Sequence, residues 1–334
     1  MSQWLGLKYR DGLVPNLFAL LYVLAGFVGG LALLIAGNWA LFPIAVIWLG
    51  HALVIASYLI HECAHNTIFA SNERNAALGR LLTWLVGACY SDYAKIRDKH
   101  FRHHIDQADV IAIDFRPILR PHTYLLKIIY FFEWFYIPLF DWIMHLAAIA
   151  VPFLMPSRAS QRKTVIIAVL VRGTLFLALL WYAPRAALGY IVAYSLALHV
   201  LRFMDAFQHT FAVSTLLDDE RPPVKRDRIY EQGNTFSNPI APTLPLINCL
   251  MLNFGFHNAH HEKPSEPWYR LPRLHRELFG DPQYQVLPFF NQLKAYHRYR
   301  LQRILNEDPP GMDVMGSRGE KFVGVVGVSF LTAF

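Results

Sequence analysis

The sequence predicts an all-α integral membrane protein, with four transmembrane helices in two hairpins, interfacial helices between them and a histidine-rich cytosolic cap. Three observations lead there. The 334 residues are 54% hydrophobic and only 16% charged, well under the roughly 25% charge of a soluble domain. Four apolar stretches each reach the ~20 residues that a helix needs to cross a bilayer. Most of the 15 histidines fall in three tight clusters beside those stretches.

The four stretches cover residues 14–36, 39–60, 164–183 and 186–207. Gly37 and Asn38 close the first hairpin, and Pro184 and Arg185 close the second, so both turns face the same side. The first stretch is longer than the apolar core of a signal peptide and lacks a small-x-small cleavage site, which predicts a retained span. Lys8 and Arg10 precede it. Arg74, Arg80, Lys95, Arg97, Lys99 and Arg102 follow the second stretch, and Arg158, Arg162 and Lys163 precede the third. By the positive-inside rule these segments are cytosolic, as are both termini and every histidine cluster.

The apolar region 124–155 is too short for two crossings and contains Glu133, Pro138, Asp141 and Pro152. It reads as amphipathic helices lying along the interface. Residues 76–90 read as interfacial or re-entrant, and the spans read as apolar through their middles. A polar loop, 218–238, with Pro222 and Pro223, leads to the apolar stretch 244–256. The chain reads as a single domain, 1–334, ending in a flexible or surface-lying tail over 309–334, whose apolar last part is too short to cross.

The formal charge of +7 is carried beside apolar segments and forms no basic face interleaved with stacking aromatics, which argues for a membrane surface and against nucleic acid. Cys63, Cys89 and Cys249 are too few and too widely spaced for a disulfide framework or a thiolate site.

His61-Glu62-Cys63-Ala64-His65 closes the second span, and its i, i+4 spacing puts two imidazoles on one helix face, a turn apart. His100, His103 and His104 form the pattern HxxHH, as do His257, His260 and His261. On a helix, the i, i+3 and i+4 positions converge on one side, while neighbours such as His103 and His104 diverge by about 100° and can serve two different metals. At 15 histidines in 334 residues, HxxHH arises by accident roughly 0.03 times in such a chain. Two copies beside an HxxxH are not coincidence.

His209, just past the fourth span, falls at the same predicted depth and reads as a ninth ligand. His51, His122, His145, His275 and His297 are isolated and read as ordinary surface or interfacial side chains, and His199 as a packing residue. So many imidazoles exceed the four ligands of a closed structural zinc site, and zinc has no redox chemistry. A greasy substrate with unactivated C–H bonds calls for activated oxygen, which iron supplies and side chains do not.

The order HxxxH, HxxHH, HxxHH around two hairpins of spans resembles the membrane fatty acid desaturase family. The run from Asn253 to Pro272 is similar to that family's third box with its downstream Pro267-Trp268 and Leu271-Pro272 elements, and the resemblance extends from about Leu53 to Leu278. It implies that His61, His65, His100, His103, His104, His257, His260 and His261 bind two irons, that His209 is the extra histidine after the fourth span, and that Asn253 holds a metal-bound water. Glu62 reads as an acceptor orienting an imidazole N–H, a role open to Asp106 and Asp109 as well.

The implied reaction reduces O2 at two irons and removes hydrogen from adjacent methylenes of an acyl chain, which is carried as a lipid, on CoA or on a carrier protein. Phe131, Trp134, Phe135 and Trp142 are candidate lining residues for the acyl chain. The sequence contains no His-Pro-Gly-Gly haem segment and no cysteine set for an iron–sulfur cluster. Electrons are therefore expected from a separate donor of the ferredoxin, rubredoxin or cytochrome b5 type, with Lys95, Arg97, Lys99 and Arg102 as a docking surface for it. The membrane is a bacterial inner membrane or endoplasmic reticulum. The alternatives are a di-iron hydroxylase or ketolase of a lipid, alkane or carotenoid and, more remotely, a metal transporter or sensor.

Overall fold

The computed structural model describes residues 6–211, 214–218, 227–281, 283–305, 313–329 and 331–332. Pro222 and Pro223, and residues 309–312, 330, 333 and 334 of the expected tail, lie outside them. In chain order the elements are α1 (Leu13–Ala36), α2 (Phe42–Ala64), α3 (Asn72–Val86), α4 (Tyr93–Asp106), β1 (Asp109–Ile111), α5 (Arg116–Leu119), α6 (Thr123–Trp134), α7 (Leu139–Leu154), α8 (Arg162–Tyr182), α9 (Pro184–Asp205), β2 (Ser214–Leu216), α10 (Arg228–Gly233), α11 (Pro245–Asn248), α12 (His257–Glu262), α13 (Leu271–Phe279) and α14 (Phe289–Arg298).

The fold is mostly helical, and the four helices long and apolar enough to cross a membrane are those built on α1, α2, α8 and α9. They are the four that the apolar stretches predict. The second lies a few residues further along than the apolar stretch: α2 runs from Phe42 through Ala64, so His61 is helical, as its i, i+4 spacing to His65 requires, and His65 is the residue that ends it. α6 and α7, of 12 and 16 residues, both fall short of a crossing length.

The described residues form two compact units. The first comprises residues up to Ile96 together with His145–Leu201. Its core is made where α1, α2 and α9 meet through Leu34, Ala45, Leu49, Ala186 and Ala193. Small residues at such contacts let helix backbones approach closely, which is how helices associate when lipid removes the hydrophobic drive between them. α2 is the most buried of the four long helices and α8 the least. Leu170, Leu175, Leu177 and Trp181 accordingly line an exposed apolar face on α8.

One charge departs from the apolar midspans expected from sequence. Arg172 sits halfway along α8, where it donates to the Trp84 carbonyl near the C-terminal end of α3 and, at 3.1 Å, to the Tyr190 hydroxyl. Beside it, Tyr194 and His145 share a 2.9 Å hydrogen bond. A cation inside a span needs such partners, and the carbonyl end of a helix is electrostatically suited to it.

The second unit comprises Arg97–Met144 and the described residues from Arg202 onward. β1 and β2 pair in parallel there, with Asp109 opposite Ser214 and Ile111 opposite Leu216. The charges of the greasy region turn inward: Arg202 at the end of α9 donates to both carboxylate oxygens of Glu133, at 2.6 and 3.0 Å, and pairs with Asp141. Arg303, wholly inside, gives its three nitrogens to the carbonyls of Val323, Tyr296 and Ala295.

The tail departs from expectation. Instead of lying loose, Phe322, Val323 and Val326 are buried in this unit, because an apolar segment with its carbonyls taken up by Arg303 and Lys99 gains by leaving water.

Arg202→Met should leave the buried Glu133 and the half-buried Asp141 without their cation, a loss of about 3–5 kcal/mol. The expected result is a markedly lower melting temperature in detergent, partly recovered by adding Glu133→Gln. An unchanged melting temperature would show that the cluster contributes no net stability.

Candidate metal centre

The first box belongs to the first unit. His61 and His65, a turn apart at the end of α2, place their ring centroids 4.8 Å apart, and both are buried. Glu62 lies 3.5 Å from His61 Nδ1 and accepts a hydrogen bond from the Thr67 hydroxyl at 2.5 Å.

The other seven predicted ligands gather in the second unit. α4 begins at Asp92, whose side chain accepts from the Ala94 N–H at 3.2 Å, a helix-starting contact. It stops where Gln107 adopts φ 50°, a left-handed turn that brings the Ala108 carbonyl back to within 2.9 Å of His103 Nδ1. The second HxxHH lies on the short α12, preceded by Gly255. A Cβ there would stand 2.7 Å from the Asn238 carbonyl oxygen, so the chain can pass only as glycine.

α12 is anchored by a residue between its ligands. Asn258, fully buried, donates to the Thr235 carbonyl at 2.7 Å and to Gln232 Oε1 at 3.1 Å, and accepts from the Ser237 hydroxyl at 2.9 Å.

Two groups of imidazoles result. In one, His209 Nε2 stands 3.0 Å from His103 Nε2 and 2.8 Å from His257 Nε2, and His261 Nε2 lies 3.2 Å from His257 Nε2. The ligand atoms of all four lie within 4.8 Å of one another. In the other, His104 Nε2 is 3.2 Å from His100 Nε2 and 3.1 Å from His260 Nε2. The neighbours His103 and His104 thus point to different groups, as do His260 and His261, which is the divergence that helical geometry demands.

In the four-histidine group, three of the opposite ring nitrogens are held by acceptors. His103 Nδ1 faces the Ala108 carbonyl, and His261 Nδ1 faces Glu231 Oε1 at 2.8 Å. His209 Nδ1 lies 3.3 Å from the Thr235 hydroxyl oxygen, whose own proton goes to the Glu231 carbonyl at 2.7 Å. Acceptors at Nδ1 place the ring protons there and leave the Nε2 lone pairs directed at one another. Such a cluster is repulsive until a cation fills it, so these residues fit a metal. The protein also keeps them in the ligating form. Burial first, and neighbouring imidazoles second, hold His209 and His257 well below the ordinary histidine pKa, so both stay neutral.

A cavity borders the four-histidine group, lined also by Lys99, Asp109, Asp205, Gln208, Phe254 and Val328. Burial drives the Lys99 ammonium down to about 7, against the pull of Asp205 and Asp109. Asn253 is buried, with its amide donating to the Trp268 carbonyl at 3.1 Å and its Oδ1 without a partner among the described residues.

Several expected roles change. Asp106 does not reach an imidazole but pairs with Arg102 at 2.9 Å. Of the four cations expected to receive an electron donor, Lys99 and Arg102 are buried and bonded internally, so they form no docking surface. The isolated histidines find structural partners: Tyr22 for His51 at 2.6 Å, the Ile118 carbonyl for His122 at 2.6 Å, Tyr194 for His145 and Tyr136 for His297. His275 packs between Phe256 and Phe279. Glu231, Thr235 and Asn258 carry no pattern that reveals them in sequence.

Four helices long and apolar enough to cross a membrane, with buried clusters of converging imidazoles able to hold metal ions, define the class of the protein. The fatty acid desaturase profile matches residues 37–292, and the chain belongs to that family, as an O2-dependent oxidoreductase. No curated protein matches the chain.

Glu231→Gln should weaken metal binding by about 10–100-fold, measured by competition with a chelator. Because His209 and His257 bind fewer protons folded than unfolded, stability should rise with pH around the ordinary histidine value of about 6.5. The melting temperature of the metal-free protein should therefore fall as the pH is lowered from 7 to 5.

Proposed function

We propose that this chain is a membrane di-iron desaturase that uses O2 to place a double bond in the acyl chain of a lipid or thioester. The observation that carries the reading is the pair of imidazole groups whose Nε2 atoms are turned to one another, with Nδ1 of His103, His209 and His261 in the first group given to protein acceptors. His103, His209, His257 and His261 hold one iron. His100, His104 and His260 contribute to the other, whose set is completed by His61 and His65. Nine histidines for two metals leave few other protein donors, in contrast to the carboxylate-rich soluble di-iron bundles.

When bound, iron at these positions supplies oxygen activated for attack on unactivated methylenes. The overall change takes a –CH2–CH2– unit, O2, two electrons and two protons to –CH=CH– and two waters. The chain's own residues do the rest. Glu231, Thr235 and the Ala108 carbonyl fix the imidazole tautomers, Asn253 offers Oδ1 to a water, and Glu62 steadies His61. Electrons come from a separate protein, and the histidine clusters face the cytosol, a reading supported by the basic residues flanking the spans.

His103→Ala and His260→Ala should each abolish turnover while leaving the protein in the membrane, since neither residue contributes to insertion. The decisive measurement is expression in a host with a simple fatty-acid profile, followed by chromatography and mass spectrometry of total lipids. A new lipid lighter by two hydrogens supports the proposal. A lipid heavier by one oxygen replaces it with a hydroxylase, and near-normal activity of either variant refutes the ligand set.

A further inference from the structure

The cavity beside the four-histidine group is lined on one side by a part of the chain that no catalytic role claims. We propose that the C-terminal segment 322–329 is the water-excluding wall of the metal centre, with Val328 the side chain that limits the space beside His100, His103 and His257. The inference rests on the metal-centre reading above.

The segment is fastened along its length. Phe322 is wholly buried, its ring 5.5 Å from Phe207 and 5.8 Å from Phe236. The Val323 carbonyl accepts from Arg303 at 2.6 Å, and the Val325 N–H donates to the Ala206 carbonyl at 3.2 Å. Gly327 then turns the chain at φ 80°, against the Phe115 ring, and Val328 enters the cavity lining.

Beyond it, Lys99 Nζ donates to the carbonyls of Ser329 at 2.7 Å and Thr332 at 3.0 Å. Ala206 and Phe207 lead into His209, and Lys99 precedes His100. The segment is therefore joined to the chain immediately ahead of two of the clustered histidines.

This placement suits the chemistry. An oxidising site must keep water from its reactive atoms, and a drier surrounding strengthens every interaction of the ligands. The wall is apolar where it meets the cavity and spends its polar atoms on Lys99. The Val328 side chain in the lining also meets a substrate carbon approaching the histidines from that side, so its size bears on which chains fit.

The test needs neither metal nor turnover. Full-length metal-free protein in detergent is treated with diethylpyrocarbonate, and labelling of each histidine is mapped by mass spectrometry. Exposed His122 serves as the reactive reference and buried His275 as the reporter of general unfolding. Gly327→Val, strained at φ 80° and crowded by Phe115, should raise labelling of His100 and His103 several-fold while His275 stays protected. Lys99→Met, which removes the clasp and keeps the turn, should do the same.

If neither variant raises His100 and His103 above His275, the proposal is overturned. Labelling that rises as expected in a protein that never binds iron would refute the di-iron reading and leave the wall standing. In the iron-loaded enzyme Val328→Phe should shift the product profile toward other chain lengths or lower product formed per O2 several-fold, and no change in either would overturn the role of Val328.

Discussion

The structure depends on holding neutral imidazoles with their lone pairs facing one another. Left to itself, such a cluster would relax by turning rings or by taking up protons, and burial with the acceptors at Nδ1 blocks both. Glu231 illustrates the arrangement, since its carboxylate holds His261 and its carbonyl takes the Thr235 hydroxyl that faces His209. One residue of α10 thereby disciplines two rings of the same group. The helices of the second unit bring these acceptors into range, with Asn258 tying α12 to residues 232–237.

Around that centre, charge is placed by pairing and not by avoidance. Arg202 meets Glu133 and Asp141, Arg102 meets Asp106, and Arg303 is spread over three carbonyls. These groups are expensive to bury singly. Pairing them fixes segments whose apolar contacts alone would allow sliding, and the greasy stretch carrying Glu133 and Asp141 becomes two short helices with a defined inward face.

Much of this was legible in the sequence. Spans announce themselves through runs of apolar residues, and histidines at helical spacing announce a shared face, because both signals are local. What the sequence does not display is non-local. Glu231 and Thr235 lie 30 and 26 residues from the imidazoles they hold, and no spacing rule connects them. Lys99 looks like a topology signal until its partner 230 residues away is seen. Arg172 is inconspicuous inside an otherwise apolar run, because the carbonyl that receives it comes from α3 and not from its own helix. The burial of the tail is invisible in the sequence, because length rules out crossing a membrane but says nothing of burial within the protein.

The splitting of adjacent histidines between two groups has a consequence for how such a chain can vary. A single inserted residue within α4 or α12 would rotate every later side chain by about 100° and hand each ligand to its neighbour's position. Between the first and last histidine of each box, the helix therefore behaves as a reading frame. A substitution there removes the contacts of one side chain, while any change of length scrambles the assignment of both ligand groups at once.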